Sequence, residues 1–348
     1  MSRFSHWAAT LAAVLLAGCA SPAYYWQLLR GEQSLLSARR PLETVIAAPQ
    51  SSVELRQRLG LLSDARVFAG QRLGLPAEGS FRSYVELGRP FVAWNVFATP
   101  QFSLRGKSWC HLLVGCLEYR GYFDQAGAQA LADSLRKDGW DVYVGGVPAY
   151  STLGWFDDPV TSAWLRWDDD GMLGTLFHEL AHQRLFVKGD TAFNESYASF
   201  VEDEGLREFR AERAEPPPSP LRRQRQEQFM ALVAGARARL ERLYASGGDP
   251  AALRVAKAAV FAQLRGDYAA LRASWGGYAG YDEWFAAADL NNAKLLPLGL
   301  YHQWIPAFAE AFRRDRGDWP AFYAAVKKLG DLPENQREAA LRALAPPA

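Results

Sequence analysis

His178 and His182 stand four residues apart in the run His178-Glu179-Leu180-Ala181-His182. At 3.6 residues per turn, that spacing sets both imidazoles on one face of a helix, about 40° apart in projection. Leu173, Leu176, Phe177, Leu180 and Leu185 supply the apolar surface that buries such a helix. The fold must therefore contain a helix, predicted over Met172 to Val187, that is anchored in a core yet presents two nitrogen ligands together. Two imidazoles so placed can share one Zn2+ at about 2.0–2.1 Å. Glu179, beside the first, can reach a water on the metal rather than the metal itself.

A catalytic zinc needs a third protein ligand and one open position. Asn194-Glu195 follows His182 at the start of the next predicted helix, Thr191 to about Arg213, with Gly189-Asp190 as the turn between. Two antiparallel helices joined this way bring Glu195 beside the His pair. Only five His occur in the chain, and two of them stand at ligand spacing before an Asn-Glu helix. His178, His182 and Glu195 are thus the expected ligands of one zinc ion, with Glu179 as general base.

Around this pair of helices the texture changes along the chain. Tyr24 to Arg40 and Ser51 to Leu73 read as helices, broken at Pro76, Gly79 and Ser80. Ser83 to Leu87, Phe91 to Phe97, Leu112 to Tyr119 and Trp140 to Val144 read as strands, with a helix over Ala126 to Lys137. Gly145-Gly146 opens an irregular stretch through Pro159. Beyond Pro216-Pro217-Pro218-Ser219-Pro220, helices are predicted near 221–245, 250–273, 278–287, 292–315, 319–329 and 334–344, the fourth divisible near Pro306. The expectation is an α+β fold: a small mixed or antiparallel sheet packed on a predominantly helical, zincin-like metallopeptidase core. It is read as one domain over 19–348, with N-terminal helices and sheet to about 160, active-site helices over 171–213 and a helical lobe over 220–348. Basic and acidic side chains number 39 and 38, so no electrostatic case for nucleic acid arises. The Arg-rich stretch from Arg222 to Arg242 also carries Glu227 and Glu241 and reads as a solvated helix face.

Ala8 to Ala17 is a compact apolar run, too short to span a bilayer but of signal-peptide length. It ends in Leu16-Ala17-Gly18-Cys19, which resembles a bacterial lipobox. The resemblance implies removal of residues 1–18 and a diacylglycerol on Cys19. With Ala20 rather than Asp next, it implies sorting to the outer membrane, facing the periplasm. The lipid bilayer is then a partner through acylated Cys19. In such an oxidising compartment Cys110 and Cys116 are expected to form a disulfide. The alternative, a metal pair, lacks a second His or Cys pair at ligand spacing, and His111 adjoins Cys110 too closely for a shared tetrahedral site.

His-Glu-x-x-His followed by Asn-Glu on a second helix resembles the gluzincins. The resemblance implies His178, His182 and Glu195 as ligands and Glu179 as base. Gluzincins commonly carry an Asp four residues after the ligand Glu, orienting the first His; Ser199 stands there. Glu202, two turns beyond Glu195, could take that part, or be a solvated helix charge beside Asp203 and Glu204. Asn194 is a second candidate for supporting the ligands, and Asp190 a weaker one. A broader resemblance rests on Trp94-Asn95-Val96-Phe97-Ala98, Tyr119-Arg120-Gly121-Tyr122-Phe123 after Cys116, Val142 to Thr152, Gly154-Trp155-Phe156-Asp157-Asp158-Pro159, Phe177 to His182, Phe193-Asn194-Glu195 and Tyr301-His302. These runs are similar to a family of bacterial lipoproteins labelled zinc aminopeptidases.

A peptide substrate needs a backbone partner, an oxyanion donor and, for an exopeptidase, a carboxylate for its α-ammonium. Val142 to Val144 with Gly146 to Ser151 is expected as an edge that pairs with substrate, Gly146 allowing close approach and Tyr150 lying beside it. The alternative there is a plain turn at Pro148. Tyr301 or His302 is the expected oxyanion donor, with Tyr150 and Tyr197 as lesser options; the alternative for His302 is a core histidine with its hydrogen bonds satisfied. Asp157, or its neighbour Asp158, could hold the α-ammonium or cap a helix near Pro159. The reading is an aminopeptidase. Its alternatives are an endopeptidase on envelope proteins or cell-wall peptides, and a structural lipoprotein braced by zinc.

Overall fold

A computed structural model describes residues 22–111, 115–149, 151–286, 290–298 and 304–345. Cys19, Tyr150, Tyr301 and His302 lie outside them. In chain order the elements are α1 (Pro22–Ser37), β1 (Arg40–Pro41), α2 (Leu42–Ala47), α3 (Val53–Gln71), β2 (Ser83–Val85), β3 (Ala93–Pro100), β4 (Trp109–His111), β5 (Gly115–Leu117), β6 (Arg120–Tyr122), α4 (Gln125–Lys137), β7 (Trp140–Val147) and β8 (Val160–Thr161). A 3-10 turn (Trp164–Arg166) leads into α5 (Asp169–Arg184) and α6 (Thr191–Glu212). Then come α7 (Pro220–Ala245), α8 (Pro250–Ser274), α9 (Asp282–Ala286), a 3-10 segment (Asn292–Leu298), α10 (Ile305–Arg314), α11 (Trp319–Gly330) and α12 (Glu334–Leu344). The fold is α+β, largely helical with small sheets, as expected. Among the described residues no helix is long and apolar enough to cross a membrane.

The chain forms two compact units, each gathered from three separate stretches. One comprises Met1–Ser34, Ala93–Val147 and Arg223–Gly299. Its sheet runs β6-β3-β7, antiparallel throughout, with β7 paired to β3 from Val147 opposite Ala93 to Trp140 opposite Pro100. Gly145 and Gly146 are therefore strand residues opposite Asn95 and Trp94, not the start of a loop. Cross-strand pairing overrides the low strand preference of glycine. Of the expected strand over 112–119, Gly115–Leu117 forms β5, which pairs antiparallel with β4, and Cys110 and Cys116 face each other across that pair and are bonded. A separate helical core in this unit packs Phe229, Val233 and Leu240 of α7 against Phe261, Leu264 and Tyr268 of α8.

The second unit comprises Leu35–Val92, Pro148–Arg222 and Leu300–Ala348. Its sheet runs β1-β2-β8, with β1–β2 antiparallel and β2–β8 parallel. β1 and β8 hold two residues each, too short to show an alternation in sequence. Its core centres on α5. Met172, Leu173, Leu176, Phe177, Leu180 and Ala181 are all buried, and Phe177 meets Phe68 of α3 and Phe209 of α6. Truncating a ring so enclosed to Ala costs about 3–5 kcal/mol. Asp168 caps α5 by accepting from Gly171 N at 2.7 Å, and Asp169 and Asp170 place negative charge at its N-terminal end.

α5 stops at Arg184, three residues before the expected Val187, because Leu185 is extended. The Asn194 amide then takes over the backbone of the turn, accepting from Val187 N and donating to Val187 O at 2.8 Å each. Asp190 caps α6 at Phe193 N and pairs with buried Arg337 of α12 at 2.7 Å. The α5–α6 turn is thus fixed from inside and out, which sets the register between the two helices.

Candidate metal centre

Facing turns of α5 and α6 bring His178, His182 and Glu195 together. His178 Nε2 lies 3.1 Å from His182 Nε2 and 3.3 Å from Glu195 Oε2; His182 Nε2 lies 3.7 Å from Glu195 Oε1. Ligands at about 2.0–2.1 Å from a tetrahedral Zn2+ stand roughly 3.4 Å apart. The nitrogen–nitrogen separation and the approach of one Glu195 oxygen to each ring bracket that edge length, so the donor groups are close enough together to share one zinc ion. Among the described residues these three form the one His, Cys, Asp and Glu cluster able to hold a metal. His182 Nδ1 is buried with no partner among the described residues, which leaves Nε2 as the nitrogen that ring gives to the cluster.

Electrostatics favour positive charge between these groups. Burial opposes a charged His178, but hydrogen bonds and attraction from Glu195 and Glu202 outweigh it and raise its pKa well above the ordinary value. Burial would lift the Glu195 carboxyl, but the two imidazoles hold it down at about 2. An imidazole raised and a carboxylate lowered by the same contacts mark a place where a cation is stabilised.

Glu202 reaches the cluster from behind. Its Oε2 lies 3.2 Å from His178 Nδ1, and its Oε1 lies 3.8 Å from Arg222. The approach depends on Gly174, one turn before His178. A Cβ on Gly174 would lie 2.7 Å from Glu202 Oε1 and 3.0 Å from its Cγ. Gly174 was not singled out from sequence. Its signal was a glycine inside a helix otherwise built of large apolar residues, where it lowers helix stability and so requires a packing reason. Glu179, half-buried on α5, adjoins His178 in sequence, and the Asp158 carboxylate lies near enough to interact with its charge.

The remaining described candidates have surroundings of other kinds. Asn194 supports the turn, not a ligand ring. Tyr197 is fully buried, with its ring against Phe308 and Phe322. Gly146 lies in β7, opposite Trp94 of β3. Asp157 is exposed and lines a cavity of about 550 Å3 with Arg39, Glu43, Glu78 and Arg82. Asp158 is fully buried, with Thr152 N and Thr152 Oγ1 donating to it at 2.8 and 3.0 Å. Neither Asp caps a helix, since β8 follows them.

A family model described as "Putative aminopeptidase" matches residues 23–341. No curated protein and no solved structure matches the chain. The metal-fitting cluster lies inside the matched span, and with nearly its whole length matched, the chain belongs to the putative aminopeptidase family, peptidase-like by description.

Proposed function

We propose that this chain is a zinc-dependent aminopeptidase in which His178, His182 and Glu195 hold one Zn2+. The observation that carries the reading is the convergence of two imidazole nitrogens and the two oxygens of one carboxylate, 3.1–3.7 Å apart where they meet, with Glu179 next to His178 in sequence. Zinc held there would supply Lewis acidity to a scissile carbonyl and to the attacking water. Glu179 takes the proton from that water as its oxygen bonds to the carbonyl carbon. It returns the proton to the peptide nitrogen as the C–N bond breaks. Glu202 accepts from His178 Nδ1–H, which fixes the tautomer that leaves the Nε2 lone pair turned toward His182 and Glu195.

Anchoring belongs to the same proposal. The lipobox-like run ending at Cys19 would tether the enzyme to the outer membrane by acyl chains, with periplasmic peptides as substrates. Mass analysis of the mature N-terminus would reveal the diacyl group on Cys19, and an unmodified Cys19 would remove the anchoring part alone.

The function itself is tested with paired peptides, free and N-acetylated, before and after chelation. The expected result is release of the first residue from free peptides, lost with chelator and restored by Zn2+. Cleavage of acetylated peptides alone would make the enzyme an endopeptidase. Activity indifferent to chelation would overturn the zinc reading.

A further inference from the structure

The segment between β7 and β8 carries an apolar tip that folding leaves in water. Trp155 is 85% exposed, Phe156 49% and Leu153 36%, in a run of four residues. At the end of α5, Phe186 is also 49% exposed. Isolated exposed apolar residues need no explanation, but three in four consecutive positions do.

This tip is held, not loose. Thr152 Oγ1 accepts from Phe156 N at 3.0 Å, and Trp155 N donates to Thr152 O at 3.2 Å, closing a tight turn. Below it the buried Asp158 carboxylate accepts from Thr152 N and Oγ1. Ser80 Oγ donates to Phe156 O and accepts from Asp158 N. Leu153 has a φ of 57° and Gly154 one of 82°. A left-handed leucine is costly, and such positions persist where the surrounding contacts impose them, often at ligand sites.

The tip also lies beside the ligand helix. A Cβ on Gly154 would sit 3.5 Å from Gln183 Oε1, and Gln183 Nε2 lies 3.5 Å from Ser151 Oγ. Gln183 directly follows His182. On the other flank the Phe186 ring centroid is 6.3 Å from that of His182. Phe186 therefore meets a ring of the metal-fitting cluster directly, and the tip meets the same end of α5 through Gln183, the residue after His182.

We propose that Leu153, Trp155 and Phe156, with Phe186, form the subsite for a large apolar side chain next to the scissile bond. Peptides carrying Phe or Leu there would thus be the substrate class. The assignment rests on the peptidase reading. Water-exposed aromatic surface gains when an apolar side chain covers it, at about 25 cal/mol per Å2, and the pinned loop spends little ordering entropy on binding.

The test uses zinc-loaded, full-length Glu179→Gln protein, so that binding is read without turnover. Calorimetric titration with Phe-Ala-Ala, Ala-Phe-Ala and Ala-Ala-Ala should give at least one Phe peptide a Kd about tenfold below that of Ala-Ala-Ala, as apolar pockets commonly achieve. The identity of that peptide tells which side of the bond the loop serves. Adding Trp155→Ala and Phe156→Ala should shrink the advantage to less than about threefold, and the apolar pair Trp155→Leu with Phe156→Leu should restore part of it. Val53→Ser, at another exposed apolar residue of the same unit, should leave the ratio unchanged. Equal Kd values for Phe and Ala peptides, or an advantage that survives loss of both rings, would overturn the proposal. Failure of the wild-type chain to hydrolyse any peptide would instead remove the peptidase reading, while the binding ratios still decide whether the loop is an apolar subsite.

Discussion

Glu202 shows how much one side chain behind a ligand can decide. Its oxygen lies 3.2 Å from His178 Nδ1, and with zinc on Nε2 it would accept the Nδ1 proton; outer partners of this kind are worth about 10–100-fold in metal affinity. Glu202→Ala should lower zinc affinity by that range, measured by competition with a chromophoric chelator; an unchanged Kd would detach Glu202 from the site. Protons compete for the same place. His178 is raised, so its share of the metal-free protein's stability is complete below its ordinary value of 6.5 and is lost as pH rises through the raised one. Glu195 is lowered, so its share is complete above 4.5 and is lost as pH falls toward about 2. Between those limits the cluster supports the metal-free fold best. The gap in Tm between zinc-loaded and chelator-treated protein should therefore widen as pH rises from about 6 to about 8. A gap that narrows over that range would contradict the assignment of these groups.

At the scale of elements, two glycines inside helices give opposite expectations for one substitution. Gly60 of α3 has open space around it, so Gly60→Ala should stabilise by about 1 kcal/mol. Gly174 of α5 faces Glu202 at contact distance, so Gly174→Ala should forfeit that gain and weaken zinc binding. Denaturant unfolding with metal titration separates the two, and equal stabilisation by both would refute the close approach of α6 to α5. Legibility divides along the same line. The α5 and α6 helices were readable because their apolar spacing, capping residues and ligand pattern agree over many residues. Asp168 and Asp190 cap as such residues should. The helix α2 and strands β1 and β8 were not readable, since runs of two to six residues carry no period. The pairing of β4 with β5 was hidden because strands of three residues carry no period of their own. Gly145 and Gly146 read as a loop because strand pairing with Asn95 and Trp94 is a long-range fact. Glu202 was half-legible: its spacing from Glu195 placed it on the right face, but its solvated neighbours Asp203 and Glu204 gave an equal case for the surface.

In the whole molecule, each unit draws on three distant stretches of chain, so no single cut would separate one unit intact. The unit that holds the metal-fitting cluster also contains the last helices. Arg337 of α12 bonds Asp190 and the carbonyls of Gly330 and Leu332, and it is buried. Removing one partner of such a pair strands the other charge, so Arg337→Ala should destabilise by about 3–5 kcal/mol. Loss of less than about 1 kcal/mol would mean the pair is solvated. In the proposed reaction Glu179 holds no metal and only moves a proton. The most direct measurement is zinc content and peptide hydrolysis on the same preparation of Glu179→Gln. The account predicts one zinc per chain retained and a rate lower by about 10^2 to 10^4. Hydrolysis at the wild-type rate would contradict it.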